Sequence, residues 1–268
     1  MSSPCPPSGE SPASPRSLAS VHVAAPSAPA VRQSTWRIDD VSTLPGPGPA
    51  AEAASQEAVD ALRASILHSL CSEYDARHLS AFLRGTGLRL GDAFWAMERA
   101  WAVDEDKHYR ALRWLYARLF SVEESSLDAQ LADRQPDFSA LAPLLPDEFS
   151  LCVVLAFDEL ASARSYARDR SRPGLGSVGA RLLNHIAQDE FLHCRNALDI
   201  LRCCHRQRLP DVPDVLARVI AHDASPQFRY RATFLLDQIL GPGLHDIDIK
   251  FLNTCAGRIV KYVNRCGQ

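Results

Sequence analysis

From about residue 52 to about residue 207, apolar side chains recur every three or four positions, and strand-like alternation is almost absent. That period belongs to amphipathic helices packed on a shared core. Four long helices are predicted. The first covers about 52 to 84 and stops at Gly85-Thr86-Gly87, and the second covers about 90 to 120. A polar stretch with one short helix follows, before a third helix starts at Pro146-Asp147 and ends ahead of Ser171-Arg172-Pro173-Gly174. Pro and Asp suit a helix start, and Pro and Gly mark its stop. The fourth covers about 176 to 207 and ends before Pro210. Three shorter amphipathic segments, 213–224, 226–240 and 247–263, are expected to pack outside these four or to complete one end.

The expected class is all-α, with one helical domain over 51–268: a four-helix bundle at about 52–208 and trailing helices at 209–268. Residues 1–50 are rich in Pro, Ser and Ala and have too little apolar surface to order themselves. They read as a flexible leader with a short docked piece at "STWRIDDV", residues 34–41.

Composition adds little to this picture. Apolar residues make up 46% of the 268, ample for a packed core. Net charge is −3 with both signs mixed along the chain, which argues against nucleic acid or an anionic membrane as a partner. No run of eighteen apolar residues occurs, and the leader lacks both a secretory apolar core and the arginines of a transit peptide, so the cytoplasm is expected. The eight cysteines contain no CxxC and read as reduced thiols.

Chemistry is concentrated in two pairs. Glu105 and His108 stand three residues apart in the second helix, and Glu190 and His193 do so in the fourth. With 11 Glu and 9 His, chance predicts 11 × 9 / 268, or about 0.4, such pairs. Positions i and i+3 are separated by about 60° and about 4.5 Å along a helix, so carboxylate and imidazole project to one point. Glu73 in the first helix and Glu159 in the third supply further carboxylates, at intervals of 32, 54 and 31 residues along the set. Asp75 and Asp158 are the nearest rivals to these two. Buried together, such groups demand compensating positive charge. Four carboxylates and two imidazoles could hold two divalent ions, with an oxygen-rich ligation that favours iron or manganese.

The scheme of one Glu from each of two helices and Glu-x-x-His from the other two resembles ferritin-like di-iron carboxylate bundles. Within that superfamily the chain is most similar to the soluble acyl-carrier-protein desaturases, over roughly residues 60 to 224. The matching features are Trp101 four residues before Glu105, Glu159-Leu-Ala-Ser162, and Asp189-Glu190 with His193. The resemblance implies Glu73, Glu105, His108, Glu159, Glu190 and His193 as iron ligands, with Asp104 and Asp189 accepting from the histidines. It also implies Ser162 one turn beyond Glu159, able to hydrogen-bond oxygen or relay a proton. The connection before Glu105 is shorter than in that family and the C-terminal region is truncated, so a fatty-acyl substrate does not follow. The arylamine N-oxygenase branch carries an extra histidine four residues before the fourth-helix Glu. Here Ile186 stands there, and His185 points about 140° from Glu190.

The function this implies is O2-dependent desaturation or hydroxylation of an organic substrate, either a small molecule or an acyl group on a carrier protein. Two irons are implied, with a manganese–iron pair as the variant cofactor and a homodimer as the common assembly of relatives. No nucleotide, flavin or iron–sulfur motif is present, so electrons must come from a separate ferredoxin or reductase. Inward positions near the ligands are Cys152, Leu155, Ala163 and Tyr166 on the third helix, and Glu98 and Trp101 on the second. Glu98, about 10.5 Å along the axis from Glu105, is expected to line the substrate cavity or proton path. The alternative functions are N-oxygenation of a small amine and iron binding without organic turnover.

Overall fold

The computed structural model describes residues 29–43, 54–225 and 249–266. Among these residues all regular structure is helical, in agreement with the all-α expectation. The predicted helix at 226–240 and the flexible-leader reading of residues 1–28 and 44–50 lie outside the described residues.

Four helices dominate: α2 (Gln56–Ala76), α4 (Asp92–Phe120), α6 (Glu148–Asp169) and α7 (Gly176–Cys204). α2 packs on α4, α4 on α7, and α7 on α6. Side chains of α2 and α6 close the ring, through Ser65 to Asp169 at 3.1 Å and Tyr166 to Glu73 at 2.5 Å. α6 is buried along its whole middle, Leu151 to Ala161, because α8 (Val212–Asp223) and α9 (Ile249–Cys266) cover the side that α7 leaves open. Thus the unbroken apolar run "CVVLAF" is a helix with neighbours all round. α9 contributes Leu252, Cys255, Ile259 and Val263, one stripe at helical spacing.

The predicted first helix is two. α2 ends at Ala76, and α3 (Leu79–Gly85) begins after a break at Arg77-His78. The His78 amide bonds the Asp75 carbonyl at 2.9 Å, a tight turn that the helical ladder does not continue. Asp75 itself is fully buried and gripped by Arg134 at 2.9 and 2.5 Å. The break redirects Leu79 and Leu83 into the core. The polar connection after α4 holds α5 (Glu124–Ala132) and a 3-10 segment, Phe138–Leu144.

α6 starts on a side-chain cap. Asp147 accepts from the Ser150 amide at 2.8 Å and pairs with Arg208 Nη1 at 2.6 Å. Asp147→Ala is expected to cost about 1 kcal/mol, the usual value of an N-cap. Urea unfolding measures it, and an unchanged midpoint would mean that the cap contributes nothing.

Residues 29–43 lie along α4 and α7, a longer docked piece than the 34–41 expected. The Arg32 amide and carbonyl bond the Asn196 side chain reciprocally at 2.9 and 2.8 Å, and Arg32 Nη1 meets Asp199 at 2.5 Å. Val41, in α1 (Asp39–Ser42), is buried against the core.

Apolar packing divides into two clusters. One holds Ala76, Trp101, Leu160, Cys194 and Ala197; the other holds Leu70, Tyr109, Tyr166, Ile186 and Ala187. On α2, α4 and α7 the change from one cluster to the other falls at Glu73, Glu105–His108 and Glu190–His193, and on α6 it falls just beyond Glu159, between Ala161 and Tyr166. A polar layer therefore lies between two apolar ones.

Candidate metal centre

The six residues predicted as ligands meet in that layer, each no more than 4% exposed. They form two groups whose donor atoms lie within 4.8 Å of one another: Glu73, Glu105, His108 and Glu190, and Glu105, Glu159, Glu190 and His193. Glu105 and Glu190 belong to both. Glu73 and His108 thus flank one side of a shared carboxylate pair, and Glu159 and His193 the other. The rivals stay out: Asp75 faces Arg134, and Asp158 enters neither group.

Both imidazoles turn Nδ1 to the cluster. His108 Nδ1 is 3.6 Å from Glu73, 3.9 Å from Glu105 and 3.5 Å from Glu190. His193 Nδ1 is 3.3 Å from Glu105, 3.3 Å from Glu159 and 3.0 Å from Glu190. The outer nitrogens go to the two aspartates, crosswise between helices. His108 Nε2 on α4 meets Asp189 on α7 at 3.0 Å, and His193 Nε2 on α7 meets Asp104 on α4 at 3.3 Å. A carboxylate on one ring nitrogen fixes the tautomer that offers the other as a lone pair.

The donor set fits metal ions better than it fits itself. Glu105 Oε1 and His108 Nδ1 are buried without a hydrogen-bond partner, which is rare for interior polar atoms. Burial, then the charges of Glu73 and Glu190, hold the Glu105 carboxyl far above the usual range. Glu159 is raised by burial and then by Glu190. Burial also opposes the charged forms of Glu190 and His108, but each outweighs it for the other: Glu190 is held below the carboxylate range and His108 well above the imidazole range. His193 is raised too, since hydrogen bonds to Asp104 and the cluster glutamates overcome burial. Protons thus carry the positive charge that two divalent ions would otherwise supply.

Neighbouring side chains hold the carboxylates. Trp101 Nε1 donates to Glu159 Oε1 at 2.8 Å, and the Tyr166 hydroxyl donates to Glu73 Oε1 at 2.5 Å. Burial, followed by the charge of Glu73, pushes the Tyr166 phenol far above its ordinary value, so it stays a donor. Lys107 Nζ bridges the two aspartates, 2.8 Å from Asp104 and 2.9 Å from Asp189. The docked N-terminal piece covers this bridge. Ser34 Oγ lies 3.1 Å from Lys107 Nζ, Trp36 Nε1 donates to Asp189 at 2.7 Å, and Lys107 Nζ sits 4.5 Å from the Trp36 ring centroid.

Lys107 and Trp36 were not among the sequence candidates. The Asp104-x-x-Lys107 spacing puts both on one helix face and was a usable signal. Trp36, 153 residues from Asp189, carried none beyond being an isolated aromatic in a polar leader. His185 enters neither ligand group and stacks on Trp36 at 5.3 Å, while Ile186 is wholly buried.

A small cavity of about 10 Å³ lies beside Glu159 and His193, lined also by Leu79, Leu83, Phe94, Met97, Glu98, Trp101, Leu155 and Ala197. Glu98 and Leu155, two of the inward positions expected from the sequence, are among these lining residues. Glu98 is buried and accepts from the Ser80 hydroxyl. Ser162 is half-buried and is not part of this lining, and neither Cys152 nor Ala163 reaches it. Comparison with protein families, curated proteins and solved structures finds no match to this chain. Among the described residues no single helix is long and apolar enough to cross a membrane.

Proposed function

We propose that the protein is a ferritin-like di-iron oxidase, nearest in plan to the soluble acyl-carrier-protein desaturases, that oxidises an organic substrate with O2. The observation that carries this reading is the pair of four-residue donor groups sharing Glu105 and Glu190. Two shared carboxylates, with one carboxylate and one imidazole to each side, suit a pair of divalent ions with oxygen-rich ligation. When bound, such a pair supplies the redox chemistry of O2 reduction, with electrons from a ferredoxin or reductase.

The chain's own residues do the rest. Asp104 and Asp189 orient the histidines, while Trp101 and Tyr166 each hold one oxygen of Glu159 and Glu73 and leave the other to a metal. Apolar layers above and below exclude water from the reacting atoms. Leu79, Leu83, Phe94, Met97 and Leu155 make the approach to Glu159 and His193 apolar, which suits an organic substrate. Desaturation or hydroxylation at carbon is favoured over N-oxygenation because Ile186 occupies the position of the additional histidine.

The test is an anaerobic Fe(II) titration in weakly buffered solution, followed by O2. About two irons per chain are expected to bind with release of protons. The sign follows from the shifts: His108, His193, Glu105 and Glu159 are all raised and proton-bound when metal-free, so metal must displace protons and affinity must rise with pH. Substrate-dependent O2 uptake with an external reductant then separates the oxidase from an iron-binding protein without turnover. Failure to bind stoichiometric metal would sink the proposal.

A further inference from the structure

The small cavity beside Glu159 and His193 is walled almost wholly by carbon, from Leu79 and Leu83 of α3, Phe94 and Met97 of α4, Leu155 of α6 and Ala197 of α7. The polar groups at its edge are already engaged. Trp101 Nε1 donates to Glu159, both His193 nitrogens face carboxylates, and Glu98 accepts from the Ser80 hydroxyl. A buried water makes about three hydrogen bonds, and here it would meet no free N–H among the lining residues. Dry apolar cavities take up apolar species such as xenon instead. Dioxygen shares that character. The centre of a water-sized particle has about 10 Å³ in which to move there, which is room for one diatomic molecule.

We propose that this cavity is a dioxygen site, in which one O2 molecule lies against Glu159 and His193 before it reaches the ligand cluster. Those two residues belong to the donor group that they form with Glu105 and Glu190, whereas Glu73 and His108 of the other group are not in the lining. O2 therefore arrives on one side of the shared carboxylates. It fits between these walls as they stand, and an organic substrate enters only if they part. The proposal rests on the reading as an oxidase for what O2 meets, but not for its binding, which needs no metal.

Methyl-proton relaxation in metal-free protein, compared under O2 and under N2 at equal pressure, tests it, because O2 is paramagnetic and speeds the relaxation of nuclei beside it. The methyls of Leu79, Leu83, Met97 and Leu155 are expected to gain several-fold more relaxation than those of Leu112 and Leu115, which are as deeply buried but belong to the other apolar cluster. Ala197→Val, which puts two methyl groups into the cavity, should erase the difference and leave Leu112 and Leu115 as they were. Leu155→Ala enlarges the cavity and should increase the effect at Leu83 and Met97, a readout that survives if the first variant does not fold. An O2 effect spread evenly over buried leucines, one that persists in a folded Ala197→Val protein, or one that Leu155→Ala leaves unchanged overturns the proposal. Iron content is measured on the same preparation after Fe(II) loading. The local O2 effect without stoichiometric iron upholds the gas site and removes the oxidase reading; two irons without the local effect does the reverse.

Discussion

Glu105→Ala and Glu190→Ala are each expected to abolish binding of both metal ions, whereas Glu73→Ala and Glu159→Ala should each weaken one. Glu105 and Glu190 are members of both donor groups, so either substitution cuts each group from four donors to three and removes one of the two shared carboxylates. Metal content by mass spectrometry reads the result directly. Thermal unfolding adds a readout of opposite sign. In the metal-free chain Glu105 is an uncomfortable neighbour, raised by burial and by the charges of Glu73 and Glu190. Removing this buried, proton-bound group takes no needed charge from the cluster, so the metal-free midpoint should hold or rise. Metal bound only to the native state raises the midpoint of the wild type, and that increment should vanish in both variants. A Glu105→Ala or Glu190→Ala protein that still binds two irons would falsify the shared-carboxylate arrangement.

Lys107→Ala should destabilise the protein by about 3 kcal/mol, the range for removing one partner of a buried ion pair. Lys107 is the cation between Asp104 and Asp189, both of which are buried, and the Trp36 ring covers it. The effect should depend on pH in a definite direction. Burial alone would raise both aspartates, but hydrogen bonds from His193 to Asp104 and from His108 to Asp189, joined by those from Lys107, bring them below the ordinary carboxylate range. A depressed folded pKa stabilises above the unfolded value and is lost as pH falls. The cost of Lys107→Ala should therefore be full at neutral pH and shrink below about pH 4. Denaturant unfolding across that range measures it, with exposed Lys250→Ala as a control that should change stability by less than about 0.5 kcal/mol. A Lys107→Ala protein as stable as that control would mean that the bridge carries no net energy.

The ligands were legible because helical periodicity is local. Glu105 and His108, or Glu190 and His193, converge through the geometry of one turn, whatever packs beside them. For the same reason the extents of α4, α6 and α7 could be read within a few residues, with Asp147 marking a start by its own side-chain chemistry. Glu98 could be placed on the inward face by counting two turns. Residues at the ends of reach were harder. Ser162 has a spacing that suits the site, yet it is half-buried and outside the cavity lining, because one turn on a helix specifies a direction and not what fills the space there. The break that divides α2 from α3 was invisible too, since its polar residues continue a helical pattern; beside it Asp75 is held by Arg134, 59 residues away, a contact no local pattern announces.

The sequence by itself determined which side chains share a helix face, and with that the all-helical class and six candidate ligands, because those are consequences of 3.6 residues per turn. Only the tertiary structure decided that Glu105 and Glu190 are shared between two groups, that each aspartate serves the histidine of the other helix, that Trp36 and Lys107 close the outer side, and that α3 walls a cavity. Each of these joins residues on different elements, and which elements are neighbours is settled by the burial of all their faces together.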